Sequence, residues 1–157
     1  MTVTHEMPST SGRSLVAAYR TALNLAGGIP LSLVQLAGRV AVAHVFWQSA
    51  QTKLASWPVT LQLFAFEYNL PLIDPALAAP LATAAEITGA VLLFLGLFSR
   101  LAALMLLGVV AVIQIFVYPG HWGEHLMWGS LLLLILARGA GVISLDYLAD
   151  SYFRRGA

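Results

Sequence analysis

Leu77–Tyr118 reads LAAPLATAAEITGAVLLFLGLFSRLAALMLLGVVAVIQIFVY, two apolar runs, Leu77–Phe98 and Leu101–Tyr118, parted by Ser99-Arg100. Each run is close to the roughly 20 helical residues that cross a hydrocarbon core about 30 Å thick. A connection this short makes the two helices antiparallel neighbours. Glu86 and Arg100 are the only ionisable side chains of strong charge in the stretch. It predicts a membrane helical hairpin with one acid inside it.

Working outward, Trp122–Ala137 follows after the turn Pro119-Gly120-His121, and Leu31–Ala50 precedes. The expected fold is therefore all-α: a polytopic membrane protein with a four-transmembrane-helix antiparallel bundle spanning residues 31–146. Composition agrees, with 59% hydrophobic and only 10% charged residues, against about 25% charged in soluble domains. Ser14–Leu25 mixes Leu15, Ala18, Ala22 and Leu23 with Arg20 and Asn24 and stops at Gly27-Gly28-Ile29-Pro30. It predicts an N-terminal amphipathic surface helix within residues 14–30, too short and too basic to span. Met1–Arg13 is polar, lacks the pattern of a cleaved signal and reads as a disordered tail. Residues 147–157 read as a C-terminal tail, and Ser144 is placed to cap a short helix restarting after Gly139 and Gly141.

Basic residues favour the cytoplasmic side. With the N-terminus inside, Arg13, Arg20, Arg100, Arg138, Arg154 and Arg155 all fall on that side, Lys53 alone lies in an outer connection, and Arg39 is within the first span. The expectation is a bacterial inner membrane protein with both termini cytoplasmic. Gln51–Ala76 is then an outer connection, read as a short interfacial helix followed by an extended segment over the bundle mouth. Trp47, Trp57, Tyr68, Tyr118 and Trp122 fit an aromatic belt near that boundary.

The chain has no cysteine, which excludes disulfides, thiol catalysis and cysteine-ligated clusters. A net charge of +1 without a basic run gives nucleic acid nothing to hold. Membrane lipid and a protein partner or second copy are the expected partners. Intramembrane charges are functional candidates, and here they are Arg39 and Glu86. Arg39 lies roughly 12 Å from the inner end of its helix and Glu86 roughly 13 Å from the outer end of its own, at about 1.5 Å per residue. This predicts an Arg39–Glu86 contact, either a structural ion pair or a site where Glu86 exchanges protons and Arg39 holds an anionic or quinone-like head group. Snorkelling of Arg39 to the inner surface is the third reading. His44, Gln48 and Gln51 share a helix face, predicted to pack against other helices with Gln114 as a partner.

His121-Trp122-Gly123-Glu124-His125 matches the HxxEH pattern of inverzincin peptidases. Opening a membrane helix with no catalytic domain, it does not carry that activity. It leaves two imidazoles on one helical face, as zinc or copper requires. With Glu67, Asp74, Glu124, Met127 and Trp128 nearby, the outer mouth reads either as aromatic-belt capping or as a site for a metal, with His121 and His125 as ligands, or for a partner. No phosphate-binding loop and no Ser/His/Asp arrangement is present.

Several of these stretches resemble the DoxX family of small four-helix membrane proteins, over nearly all of Leu31–Arg155. They are the Arg39 helix with Lys53-Leu54 at its end, Ala84-Ala85-Glu86-Ile87, Leu95-Gly96-Leu97-Phe98-Ser99-Arg100-Leu101-Ala102-Ala103, and Trp122 with His125. Gly139-Ala140-Gly141-Val142-Ile143-Ser144-Leu145-Asp146 is similar to the family's Gly-Pro-Gly ending, with Ala140 departing from it. Phe64–Pro75 and Gln114–Pro119 look like the branch found beside copper-buffering ribosomal peptides and their multinuclear iron enzymes. The resemblance implies membrane redox or stress contexts, including a subunit of thiosulfate:quinone oxidoreductase and assemblies with superoxide dismutase. It implies an accessory subunit supporting an oxidoreductase, with quinone as a possible ligand, rather than a self-sufficient enzyme. The other implied reading is a scaffold or transporter-like protein handling copper or a modified metal-binding peptide.

Overall fold

Helix α4, Pro75–Leu95, begins where Asp74 accepts the Ala76 N–H at 2.8 Å and Pro75 occupies the first turn. Proline costs nothing there, since that N–H has no helical partner. The helix ends at Gly96, whose φ of +68° suits glycine. After Leu97 and Phe98, helix α5 runs from Ser99 to Val112 and continues as a π-helical turn over Ile113–Val117. A Cβ on Gly89 of α4 would overlap the Leu106 side chain of α5, so glycine sets how closely the two helices pack. By length and apolar composition, Pro75–Leu95 and Ser99–Val117 both qualify as membrane spans. The hairpin read from the sequence stands.

The computed structural model describes residues 10–71 and 73–155. Around the hairpin lie α2, Leu31–Ala55, and α6, Trp122–Arg138. Val42, Ala43 and Phe46 of α2, Ala90 and Leu93 of α4, Ala102, Ala103, Leu106 and Val110 of α5, and Leu132 and Ile135 of α6 form one buried core. Outward-facing Val91, Phe94, Leu101, Leu104 and Leu133 are exposed, apolar where hydrocarbon rather than water is the surroundings. Four helices thus share the core, but among the described residues two helices meet the length and hydropathy requirements for a span, and a third span results if α2 is taken with the helix before it. The expected four-span count is not reached on this test. Helix α6 has 17 residues, about 25 Å at 1.5 Å per residue, and α2 is diluted by polar side chains.

Between α2 and α4, α3 over Trp57–Gln62 runs into a second π-helical turn, Leu63–Tyr68. A short helix is present where one was expected, but Lys53 is not in the connection: α2 extends five residues past its expected end. Helix α1 occupies Thr10–Gly27 in a separate unit ending at Leu31. It starts four residues inside the stretch read as a tail, and the tail reading of residues 1–9 lies outside the described residues. At the other end, α7 occupies Leu145–Arg155, with Ser144 Oγ accepting the Tyr147 N–H at 3.2 Å. Residues 147–155 are helical, a correction to the tail boundary but in accord with the Ser144 cap.

Candidate functional site

On α2 the 3.6-residue period brings Arg39, Val42, Phe46, Ser49 and Lys53 towards one side. Glu86 of α4 faces this stripe, but it meets Lys53 rather than Arg39. Lys53 Nζ donates to both Glu86 carboxylate oxygens and to Ser49 Oγ, each at 2.8 Å. Ser49 Oγ in turn donates to Glu86 Oε1 at 3.2 Å. The Glu86 side chain is 1% exposed and that of Lys53 12%. Thr60 Oγ1 donates to the Lys53 carbonyl at 2.8 Å and ties α3 to this corner.

The expected Arg39–Glu86 contact is replaced because the register is different. Arg39 lies level with Gly96, where an added Cβ would overlap its guanidinium. Gly96 is ten residues beyond Glu86, about 15 Å along a helix. Arg39 Nη2 donates to the Ile143 carbonyl at 2.5 Å. Its charge sits at the carbonyl end of α4, where a cation is favoured, and is attracted by Asp146. Asp146 also accepts the Phe98 and Ser99 N–H groups at 2.7 and 2.9 Å, capping α5. Gln35 donates to the Arg138 and Gly139 carbonyls at 3.2 and 3.1 Å. Arg39 is 1% exposed, which removes snorkelling as well.

Beside the Lys53–Glu86 pair lies a cavity of about 660 Å³ walled by α4, α5, α6 and the two π-helical turns. Ser49, Lys53 and Glu86 supply polar groups; Ala82, Ala85, Met105 and Val109 are among the apolar ones. Aromatic rings follow one another along it. The centroid steps are 4.8 Å from Phe64 to Tyr68, 5.9 Å to Tyr118, 5.2 Å to His121, 6.4 Å to His125 and 5.4 Å to Trp128. The π-helical turns close with Asn69 N–H to Phe64 O and Tyr118 N–H to Ile113 O, at 3.1 and 2.8 Å. They deliver Phe64, Tyr68, Ile113, Val117 and Tyr118 to the lining. Such turns recur at functional sites.

Tyr118 donates to Glu67 Oε1 at 2.5 Å. This bond to a carboxylate is the main reason the phenol is held well above its ordinary range, with burial and the Tyr68 hydroxyl adding to it. Tyr68 is raised chiefly by burial. His125 is buried, and its Nδ1 lies 2.5 Å from Gln114 Oε1. Gln114 Nε2 donates to the Pro119 carbonyl at 2.8 Å.

Of the residues singled out in the sequence, Glu86, His121, Glu124 and His125 line this cavity. Glu67 and Gln114 act through Tyr118 and His125, and Asp74 is an exposed helix cap. His44, Gln48 and Gln51 are exposed, contrary to the packed stripe expected, and Gln114 meets His125 instead. His44 lines a separate 410 Å³ cleft with Val40, Trp47, Val91 and Phe94. Among the described residues no group of three or more His, Cys, Asp or Glu is arranged to hold a metal ion. Lys53, Ser49 and Tyr68 were missed as cavity residues. Ser49 and Lys53 stand four apart on the face of Arg39, a signal that a longer α2 makes readable.

These features define a class: a helical membrane protein with an open, ring-lined cavity whose wall carries an ion pair between the half-buried Lys53 and the buried Glu86. The chain belongs to the DoxX family, whose model matches residues 34–119, more than half of it. No curated protein and no solved structure matches. The matched stretch contains Arg39, Lys53, Tyr68, Glu86, Gln114 and Tyr118; His121, His125 and Trp128 lie beyond it.

Proposed function

We propose that this DoxX protein is an integral membrane subunit supporting a membrane-associated oxidoreductase or redox-stress system by holding a quinone-type ring in the 660 Å³ cavity. The observation that carries this reading is the cavity's combination of aromatic rings with the Lys53–Glu86 pair. Flat rings stack against aromatic side chains, and an apolar cavity with few convergent polar groups is the usual form of a small-molecule site. The protein's residues bind and orient the ring, while the partner oxidoreductase carries the electron chemistry. In this reading α2 and α6 complete a four-span bundle in a bacterial inner membrane, with both termini cytoplasmic, as the basic-residue split favours.

The alternative is a scaffold or transporter-like protein handling copper or a metal-binding peptide through His121 and His125. Its support stops at two neighbouring imidazoles, one already bonded to Gln114.

Purification from the native membrane in mild detergent, followed by solvent extraction and chromatography, tests the proposal. Quinone is expected with the wild-type chain and lost with Glu86→Gln. Quinone-free wild-type protein, or equal retention by the variant, overturns it.

A further inference from the structure

The outward faces of the core helices are not alike. Between the ends of α5 and α6 the exposed side chains are apolar apart from Ser130, whose hydroxyl donates to the Leu126 carbonyl of its own helix at 2.6 Å. Such faces meet hydrocarbon without an unsatisfied group. On α2 the exposed face carries Ala37, Ala41, His44, Gln48 and Gln51. Their alternating spacing of four and three residues keeps them on one line along the helix, the kind of seam that one helix offers another. Thr52 beside them donates to the Gln48 carbonyl at 3.0 Å. The side chains of His44, Gln48 and Gln51 have no hydrogen-bond partner among the described residues.

These three polar groups lie alongside the body of a span, not at its rim. Arg39 is level with Gly96 at the end of α4, a helix that qualifies as a span. His44, Gln48 and Gln51 follow Arg39 by five, nine and twelve residues. That places them about 8, 14 and 18 Å further along, beside a helix of 21 residues that is about 31 Å long. His44 accordingly shares its cleft with Val91 and Phe94 of α4. Thr88, exposed on the α4 face that carries Val91, extends the same surface. Water does not reach the hydrocarbon core to satisfy such groups, so polar side chains there are matched across helices.

What fits this seam follows from its chemistry. A glutamine amide and a neutral imidazole each carry both a donor and an acceptor, so an identical stripe satisfies them reciprocally. The stripe bears no Asp, Glu, Lys or Arg to repel its own image, and Ala37 and Ala41 let two backbones approach closely. Copies inserted the same way round are related by a two-fold axis along the membrane normal, which sets each Gln and His opposite its counterpart. We infer that this face of α2 is the interface with a second copy of the chain, the two α2 helices packed side by side. Ser49 and Lys53 lie on the other side of α2 and line the cavity. Each copy therefore keeps its own cavity, and the interface does not depend on what that cavity holds.

The chain contains no cysteine, so single cysteines report proximity without background. In membranes holding the full chain, oxidation is expected to join the Ala41→Cys and Gln48→Cys variants into a product that mass spectrometry identifies as two copies. Leu104→Cys and Leu133→Cys, exposed on α5 and α6, are expected to stay single. Stripe variants that stay single, a cross-linked partner of different sequence, or equal cross-linking at all four positions overturns the inference. Energy transfer between donor- and acceptor-labelled chains in lipid vesicles supplies the second reading. The triple variant His44→Leu, Gln48→Leu, Gln51→Leu keeps a face compatible with lipid and is expected to weaken association by about ten-fold or more. Association as tight as wild type in that variant means that the polar seam is not the contact, and the inference fails.

Discussion

Two cations of α2, the buried Arg39 and the half-buried Lys53, sit on nearly the same helix face and have different surroundings. Lys53 meets Glu86 beside open space, with each N–H satisfied within 2.8 Å. Arg39 is packed among the ends of α4, α5 and α6 and the start of α7, where Nε and Nη1 have no hydrogen-bond partner among the described residues. Its energetic role there is attraction to Asp146 and to the carbonyl end of α4, together with the volume it fills. A charge within a membrane helix is a functional candidate at either position. Open space lies beside one and close packing surrounds the other, and on the proposed function the first is the ligand centre and the second a structural one.

The largest expected effect breaks the structural end. Arg39→Ala leaves a void, removes the cation facing Asp146, and is expected to cost about 3 kcal/mol or more, read as reduced resistance to unfolding in detergent. Next, Gly96→Ala introduces a Cβ at positive φ that overlaps the Arg39 guanidinium, with an expected loss of about 2 kcal/mol. Neither variant, where it folds, is expected to alter the quinone-to-protein ratio. A selective loss of bound quinone from folded Arg39→Ala protein places the ligand centre at the wrong end.

At the cavity the pattern reverses. Glu86→Gln leaves Lys53 without its counter-charge and is expected to cost roughly 1–3 kcal/mol of stability, less than Arg39→Ala, while abolishing quinone retention. The smallest effect concerns Tyr118. Its folded-state ionisation is raised, so the stability it contributes through Glu67 is fully present below the ordinary phenol value of about 10 and is lost as pH climbs through the higher folded-state value. Ultraviolet titration is expected to show one late-ionising phenol that moves back towards the ordinary range in Glu67→Gln.

Much of the fold follows from hydropathy. The α4–α5 hairpin, the break at Gly96–Arg100, the short helix after Trp57 and the Ser144 cap are all local: a run of apolar residues, a glycine, a proline or a hydroxyl at a fixed offset. Glu86 and Arg39 are legible as buried for the same reason. Their partners are not, because pairing depends on the vertical register between α2 and α4, and a shift of a few residues exchanges Arg39 for Lys53. Lys53 was placed outside the helix because charge lowers hydropathy at Ala50–Ala55, although its i,i+4 relation to Ser49 continues the inward stripe. The His125–Gln114–Pro119 linkage joins α6 to the π-helical end of α5, and the extra residue in that turn displaces the side chains from α-helical expectation. The outward placement of His44, Gln48 and Gln51 shows the same limit. A polar stripe has a face, but its sequence does not say what lies opposite.

Photolabelling in native membranes with a photoactivatable quinone analogue, followed by mass spectrometric mapping, tests the assignment of the two centres most directly. The expected adducts fall on cavity residues such as Met105 and Trp128, and excess unmodified quinone suppresses them. Saturable labelling confined to residues around Arg39, Gln35 and Asp146 contradicts it.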